Sequence, residues 1–125
     1  MSGRPPSVTL IDDDESMSQA LTRLLTVSGF TVQRYFSAEA CLDAWPTTSA
    51  PDFLVVDIGL PGISGIKLVE HLRTRCNDKT PVAFISAYDE PETREQALKA
   101  GAVIFLTKPF PGHSLIAALR TAERQ

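Results

Sequence analysis

Four consecutive apolar residues, Phe53, Leu54, Val55 and Val56, run without alternation into a single carboxylate, Asp57, and Gly59, Pro61, Gly62 and Gly65 follow at once. A strand exposed on one face alternates apolar and polar side chains, whereas a strand covered on both faces reads as an unbroken apolar block. The block therefore predicts a central parallel strand with helices on either side. Asp57 stands at its carboxyl end, the edge at which open α/β sheets bind ligands, and the glycines and prolines behind it let the backbone turn and approach closely. An aspartate that only capped a turn would need no companions. Asp57 has several.

Upstream, the short apolar run Val8 to Ile11 breaks into Asp12, Asp13, Asp14 and Glu15, so a second strand also ends in carboxylates. Met17, Ala20, Leu21, Leu24 and Leu25 keep the three-and-four spacing of an amphipathic helix, which Gly29 can close in the left-handed conformation. Phe30, Val32, Arg34 and Phe36 alternate with Thr31, Gln33 and Tyr35, the pattern of an outer strand. Ser37 is placed to cap a short helix, roughly Ala38 to Trp45, that stops before Pro46, and Thr47 to Pro51 reads as a surface loop.

Beyond Gly65, the stripe Ile66, Leu68, Val69 and Leu72 predicts a third helix, with Arg73 and Arg75 in its last turns, where they suit the helix dipole. Asn77 to Lys79 breaks it. Val82 to Ile85 forms a fourth apolar strand, ending at the Ser86 hydroxyl. Pro91 opens a helix with Asp89 or Glu90 near its cap and Gly101 at its end. This helix offers a core little beyond Ala97, Leu98 and Ala100. Val103 to Leu106 is a fifth strand that leads to Lys108, and Leu115, Ile116, Leu119 and Ala122 stripe the last helix. Five strands alternating with five helices at such short spacing predict right-handed crossovers and a doubly wound parallel α/β sheet, because hairpins cannot join parallel strands.

All but the outer strand then deliver chemistry to one edge: Asp12 and Asp13, Asp57, Ser86 and Lys108. Three crowded carboxylates repel one another unless a cation sits among them. An all-oxygen donor set favours a hard divalent ion, and Mg²⁺ suits one held by one or two carboxylates, waters and a phosphate. A lysine and a hydroxyl opposite would neutralise and hydrogen-bond an incoming phosphoryl group, with Asp57 as the candidate nucleophile.

The remaining features exclude more than they assert. A chain of 125 residues suits one domain. Its formal charge of -3 and scattered basic residues give no support for direct nucleic-acid binding. No stretch approaches the roughly 18 apolar residues of a membrane helix, and the first residues lack the apolar core of a signal peptide, so a cytoplasmic protein with no membrane partner is expected. Cys41 and Cys76 lack metal or redox spacing and read as reduced thiols. His71 and His113 lie far along the chain from the acids and read as surface or helix-end residues; Asp14 and Glu15 read as solvated helix-start residues.

The acidic DDD after the first strand, the DIGLPGISG loop, the ISA that ends the fourth strand and the TKPF that ends the fifth together resemble the receiver domain of two-component response regulators, from Val8 to the last helix. The SAEA segment and the KAGAVIFLTKPF ending are similar to the FixJ/NarL-like branch. The resemblance implies a CheY-like, flavodoxin-like (βα)5 fold with strand order 2-1-3-4-5, and a domain spanning 8–125 after a disordered segment at 1–7. Members of that branch usually carry a C-terminal helix-turn-helix output domain, and none is expected within these 125 residues. It further implies phosphorylation of Asp57 by a sensor histidine kinase. Asp13, Asp57 and the Gly59 carbonyl would hold Mg²⁺ or Mn²⁺, and Asp12 would support the ion largely through water. Ser86 and Lys108 would bind the phosphoryl oxygens, with a cis bond before Pro109. Ser86 and Phe105 would form a switch that controls a homodimer, or transcription through an output domain. Gly59, two residues after Asp57, and Tyr88, two after Ser86, bear on the lifetime of the phosphoryl group.

Three other readings compete. A single-domain regulator could act by protein contact alone. A phosphatase resembling the haloacid dehalogenases also uses an aspartyl phosphate, but needs a second Asp where Gly59 stands. A receiver-like module that takes no phosphate would have no chemical need for Asp12, Asp13, Asp57, Ser86 and Lys108 together.

Overall fold

The computed structural model describes residues 4–45 and 50–123. Met1 to Gly3, Pro46 with residues 47–49 of the expected surface loop, and the last two residues lie outside this range. Five strands, β1 (Ser7–Ile11), β2 (Thr31–Tyr35), β3 (Phe53–Asp57), β4 (Val82–Ser86) and β5 (Ala102–Thr107), alternate with helices α1 (Glu15–Val27), α2 (Ala38–Asp43), α3 (Gly65–Arg75), α4 (Pro91–Lys99) and α5 (Gly112–Glu123). The strands form one parallel sheet in the order β2-β1-β3-β4-β5, as expected. The order of the strands changes direction between β1 and β3, and sheets of this kind place their ligands outside the carboxyl ends at that point.

Burial follows the apolar patterns. Every residue of β3 and β4 is buried, whereas the outer β2 is half exposed. Alternate residues of the central strands feed two cores. Leu54, Val56, Val82, Phe84 and Phe105 pack under α2, α3 and α4. Val8, Leu10, Val55, Ala83 and Ile85 pack under α1 and α5. Fully burying a side chain such as Leu54 or Leu72 stabilises by about 1.5–3 kcal/mol, so these two layers dominate the fold's favourable energy.

The caps agree with the sequence with two adjustments. Ser37 accepts the Ala40 N–H at the start of α2, and Gly29 and Gly101 adopt φ of +99° and +95° after α1 and α4. Glu90 occupies the N-cap position of α4 but its side chain makes no cap bond, and the neighbouring Asp89 carboxylate is engaged by Arg94. Ser7, expected in the N-terminal segment, is the first residue of β1. Its N–H donates to Asp52 at 2.8 Å and it pairs with Thr31, which extends the sheet by one position.

Candidate phosphoryl and metal site

Asp12, Asp57, Ser86 and Lys108 converge above the sheet because each ends, or directly follows, a strand of known register. Asp12 follows β1 and is fully buried; its N–H donates to the Tyr35 carbonyl at 3.1 Å, and Asp57 and Ser86 are the last residues of β3 and β4. Lys108 follows β5, its N–H donates to the Ser86 carbonyl at 2.8 Å, and its bond to Pro109 is cis.

The Lys108 ammonium lies between two acids, 3.2 Å from Asp57 Oδ2 and 3.5 Å from Asp12 Oδ2. Burial opposes its charge, but the Asp12 and Asp57 carboxylates outweigh that effect and raise its pKa above the ordinary lysine value. Asp57 Oδ1 accepts the Gly59 N–H at 2.9 Å, which fixes the carboxylate plane. Asp12 Oδ1 accepts the Asp14 N–H at 2.9 Å, while its buried Oδ2 has no hydrogen-bond partner among the described residues. Burial is the main reason the Asp12 carboxyl is pushed up to about 6; the Asp14 N–H and Lys108 oppose the shift and Asp57 adds to it.

Asp13 projects at the exposed mouth, and one carboxylate oxygen each from Asp12, Asp13 and Asp57 lie within 4.8 Å of one another. The residues fit a divalent ion: the donors are all oxygens, three carboxylates exceed the single Lys108 charge beside them, and the buried Asp12 Oδ2 is met by that ammonium only at 3.5 Å, with no hydrogen bond among the described residues. The loop behind Asp57 is shaped by close approach. Gly65 N–H donates to the Ile58 carbonyl, and Gly65 sits against the backbone of Asp57.

Ser86 is buried, and its Oγ accepts the Tyr88 N–H at 3.0 Å. Tyr88 reaches the site only through this backbone group, since its side chain is 70% exposed. Phe105 is buried opposite Phe84 in the β4–β5 ladder. His71 and His113 are exposed, and Asp14 caps α1 by accepting the Met17 N–H at 3.1 Å, in keeping with their expected structural roles. Two neighbours escaped the sequence reading. Thr107, paired with Ser86, buries an Oγ1 that lacks a hydrogen-bond partner among the described residues, and its place in TKPF was the available signal. Arg94 lays its guanidinium over the Phe105 ring, 4.6 Å from the centroid, a tertiary contact with no local signature.

A carboxylate paired with an ammonium, clustered with two further acids and one strand away from a buried hydroxyl, is suited to taking up a phosphoryl group and balancing its charge. Residues 8–120 match the family model of the response regulator receiver domain. The response regulator protein TodT of Pseudomonas putida is 34% identical over 98% of this chain and 53% of its own length. The transcriptional regulatory protein FixJ of Bradyrhizobium diazoefficiens is 35% identical over 94% of this chain and 57% of its own. The chain thus spans about half the length of the curated relatives it matches. Among solved structures, the receiver domain of the Francisella response regulator 1452 superposes with a TM-score of 0.86 at 31% identity, covering 95% of this chain and 97% of that one.

Proposed function

The chain belongs to the response regulator receiver domain family of two-component systems, and on that premise we propose that it is a phosphorylation switch in which Asp57 accepts a phosphoryl group from a sensor histidine kinase. The carboxylate oxygen attacks phosphorus and the donor group leaves. The Lys108 ammonium and the Ser86 hydroxyl then bind the phosphoryl oxygens. Asp13, Asp57 and the Gly59 carbonyl would hold Mg²⁺ or Mn²⁺, with Asp12 supporting them. A bound divalent ion supplies positive charge against the phosphoryl oxygens. The domain in this reading is not an independent enzyme, although its own residues assist phosphotransfer and dephosphorylation.

The observation that carries this reading is the pairing of Lys108 with Asp57 beside the buried Asp12. It is an arrangement whose charge invites both a cation and a phosphoryl group. The output is assigned to the surface formed by α4, β5 and α5, where Leu98 and Val103 are 61% and 44% exposed and would meet a second copy or a DNA-binding output domain. Incubation with acetyl phosphate and Mg²⁺, read by intact mass and peptide mapping, should give one label, on Asp57, and none in Asp57→Asn. Sustained release of phosphate from the donor would favour a phosphatase instead. A parent protein that takes no label would overturn the reading.

A further inference from the structure

Arg94 uses both faces of its chemistry at once. Its Nε and Nη2 donate to the same oxygen of Asp89, at 3.1 and 2.8 Å, while the flat guanidinium covers the Phe105 ring with Cζ 4.6 Å from the centroid. A planar cation can bond a carboxylate through its edge and an aromatic ring through its face, which an ammonium cannot do. The two partners belong to different elements, the β4–α4 loop and β5. Arg94 therefore joins three segments of chain at one point.

The loop that carries Asp89 is itself tied to the candidate site, because Tyr88 N–H donates to Ser86 Oγ at 3.0 Å. The far end of α4 is anchored separately. Arg73 Nε donates to the Ala100 carbonyl at 3.4 Å, and its Nη1 pairs with the buried Asp78 at 3.0 Å. The near end of α4 has no side-chain cap. A displacement that starts at Ser86 would thus move the loop and the first turns of α4 about a fixed C-terminal end.

We infer that Arg94 is a latch: held by Asp89, it keeps Phe105 in place while Asp57 is paired with Lys108, and it lets go when the Ser86 hydroxyl is drawn to a phosphoryl group. This rests on the reading of Asp57 as phosphoacceptor. Turning Ser86 Oγ toward phosphate breaks its bond to Tyr88, shifts Asp89, and removes the carboxylate that positions Arg94. The ring is then free to change rotamer. Arg94 is a positioning residue that sets the balance between two packings and touches neither phosphate nor metal.

Titration of the protein with beryllium fluoride and Mg²⁺, a mimic of the phosphoryl group, tests the latch. A contact made in only one of two states opposes a ligand that selects the other. Arg94→Ala should therefore bind the mimic roughly threefold to tenfold tighter than the parent. Asp89→Asn should shift affinity in the same direction, and the double variant should bind no tighter than Arg94→Ala alone, because both changes break one unit. Arg94→Lys, which keeps the charge but not the plane, should fall between Arg94→Ala and the parent. Amide exchange in residues 91–106 should be fast in Arg94→Ala before the mimic is added and only afterwards in the parent.

A purely structural arginine would lower the unfolding midpoint and leave affinity alone, and that result, or additive effects in the double variant, would overturn the latch. A parent that binds the mimic beside an Arg94→Ala variant of equal affinity removes the latch alone. A parent that neither binds the mimic nor takes label from acetyl phosphate removes the phosphoacceptor reading, and the latch with it.

Discussion

The carbonyl oxygen of Asp57 leaves no room for a side chain at Gly65: a Cβ there would lie 2.3 Å from that oxygen and 2.8 Å from Cγ1 of Val56. Helix α3 thus begins against the backbone of the residue on which the site is centred. Alanine is the better helix former by about 1 kcal/mol, but here the clash is with backbone that cannot swing away. Gly65→Ala is expected to destabilise by about 1–3 kcal/mol in urea denaturation. At Gly59 the same added atom would meet Asp57 Oδ1 at 3.6 Å, an ordinary contact, so Gly59→Ala should cost far less. Equal losses at the two positions would contradict the steric account.

Asp13 offers its carboxylate from the exposed side of the acidic cluster, and little else depends on it. Asp13→Ala should keep the thermal stability of the parent without divalent ions and lose most of the stabilisation that Mg²⁺ confers. A drop of at least about tenfold in Mg²⁺ affinity is expected on removing one anionic oxygen ligand. Parent-like Mg²⁺ titration in this variant would move the proposed metal site elsewhere.

Ser86 is proposed to carry the signal out of the site rather than to accept the phosphoryl group. Ser86→Ala should still be labelled at Asp57 by acetyl phosphate. It should show little phosphate-dependent change in amide exchange across residues 88–110, because the hydroxyl that links Tyr88 to the pocket is gone. A full response in this variant, or changes confined to α1 and α2, would contradict the proposed route.

Cys41 is fully buried, and its thiol is pushed up to about 12, by burial first and then by the nearby charges of Asp78 and Cys76. A raised thiol pKa favours the neutral, unreactive form until pH approaches that value. Cys76, exposed at the end of α3, should be the one cysteine alkylated by iodoacetamide in the native protein, with Cys41 reacting only in urea. Comparable native rates at both would show that Cys41 is reached by solvent.

What could be read without coordinates was whatever one segment decides for itself. β3 and β4 declared their central place because covering both faces removes every polar residue from Phe53–Val56 and Val82–Ile85, and Gly29 and Gly101 marked helix ends because few other residues accept their φ. The convergence of Asp12, Asp57, Ser86 and Lys108 followed from strand polarity alone. α4 was harder. Leu98, counted among its apolar residues for a core, is 61% exposed, whereas Ala97 is buried. Arg73 read as a residue suited to the dipole of α3, yet it reaches Asp78, which also binds Thr80, and the Ala100 carbonyl. Such contacts join residues that no periodicity relates, so only the folded chain shows them.

The sheet is also a partition. Neighbouring residues of β3, such as Leu54 and Val55, belong to different cores, so the two halves of the interior share backbone but few side chains. Phe84 and Phe105 lie in the half beneath α2, α3 and α4, and the Phe30 and Phe53 rings pack edge to face in the other. A rotamer change at Phe105 would therefore fall on one side of the wall, away from the layer under α1 and α5. Were Phe105 to move as proposed, the molecule would have one adjustable interior layer and one constant one, and a partner that contacts only the constant side would hold the domain alike in both states.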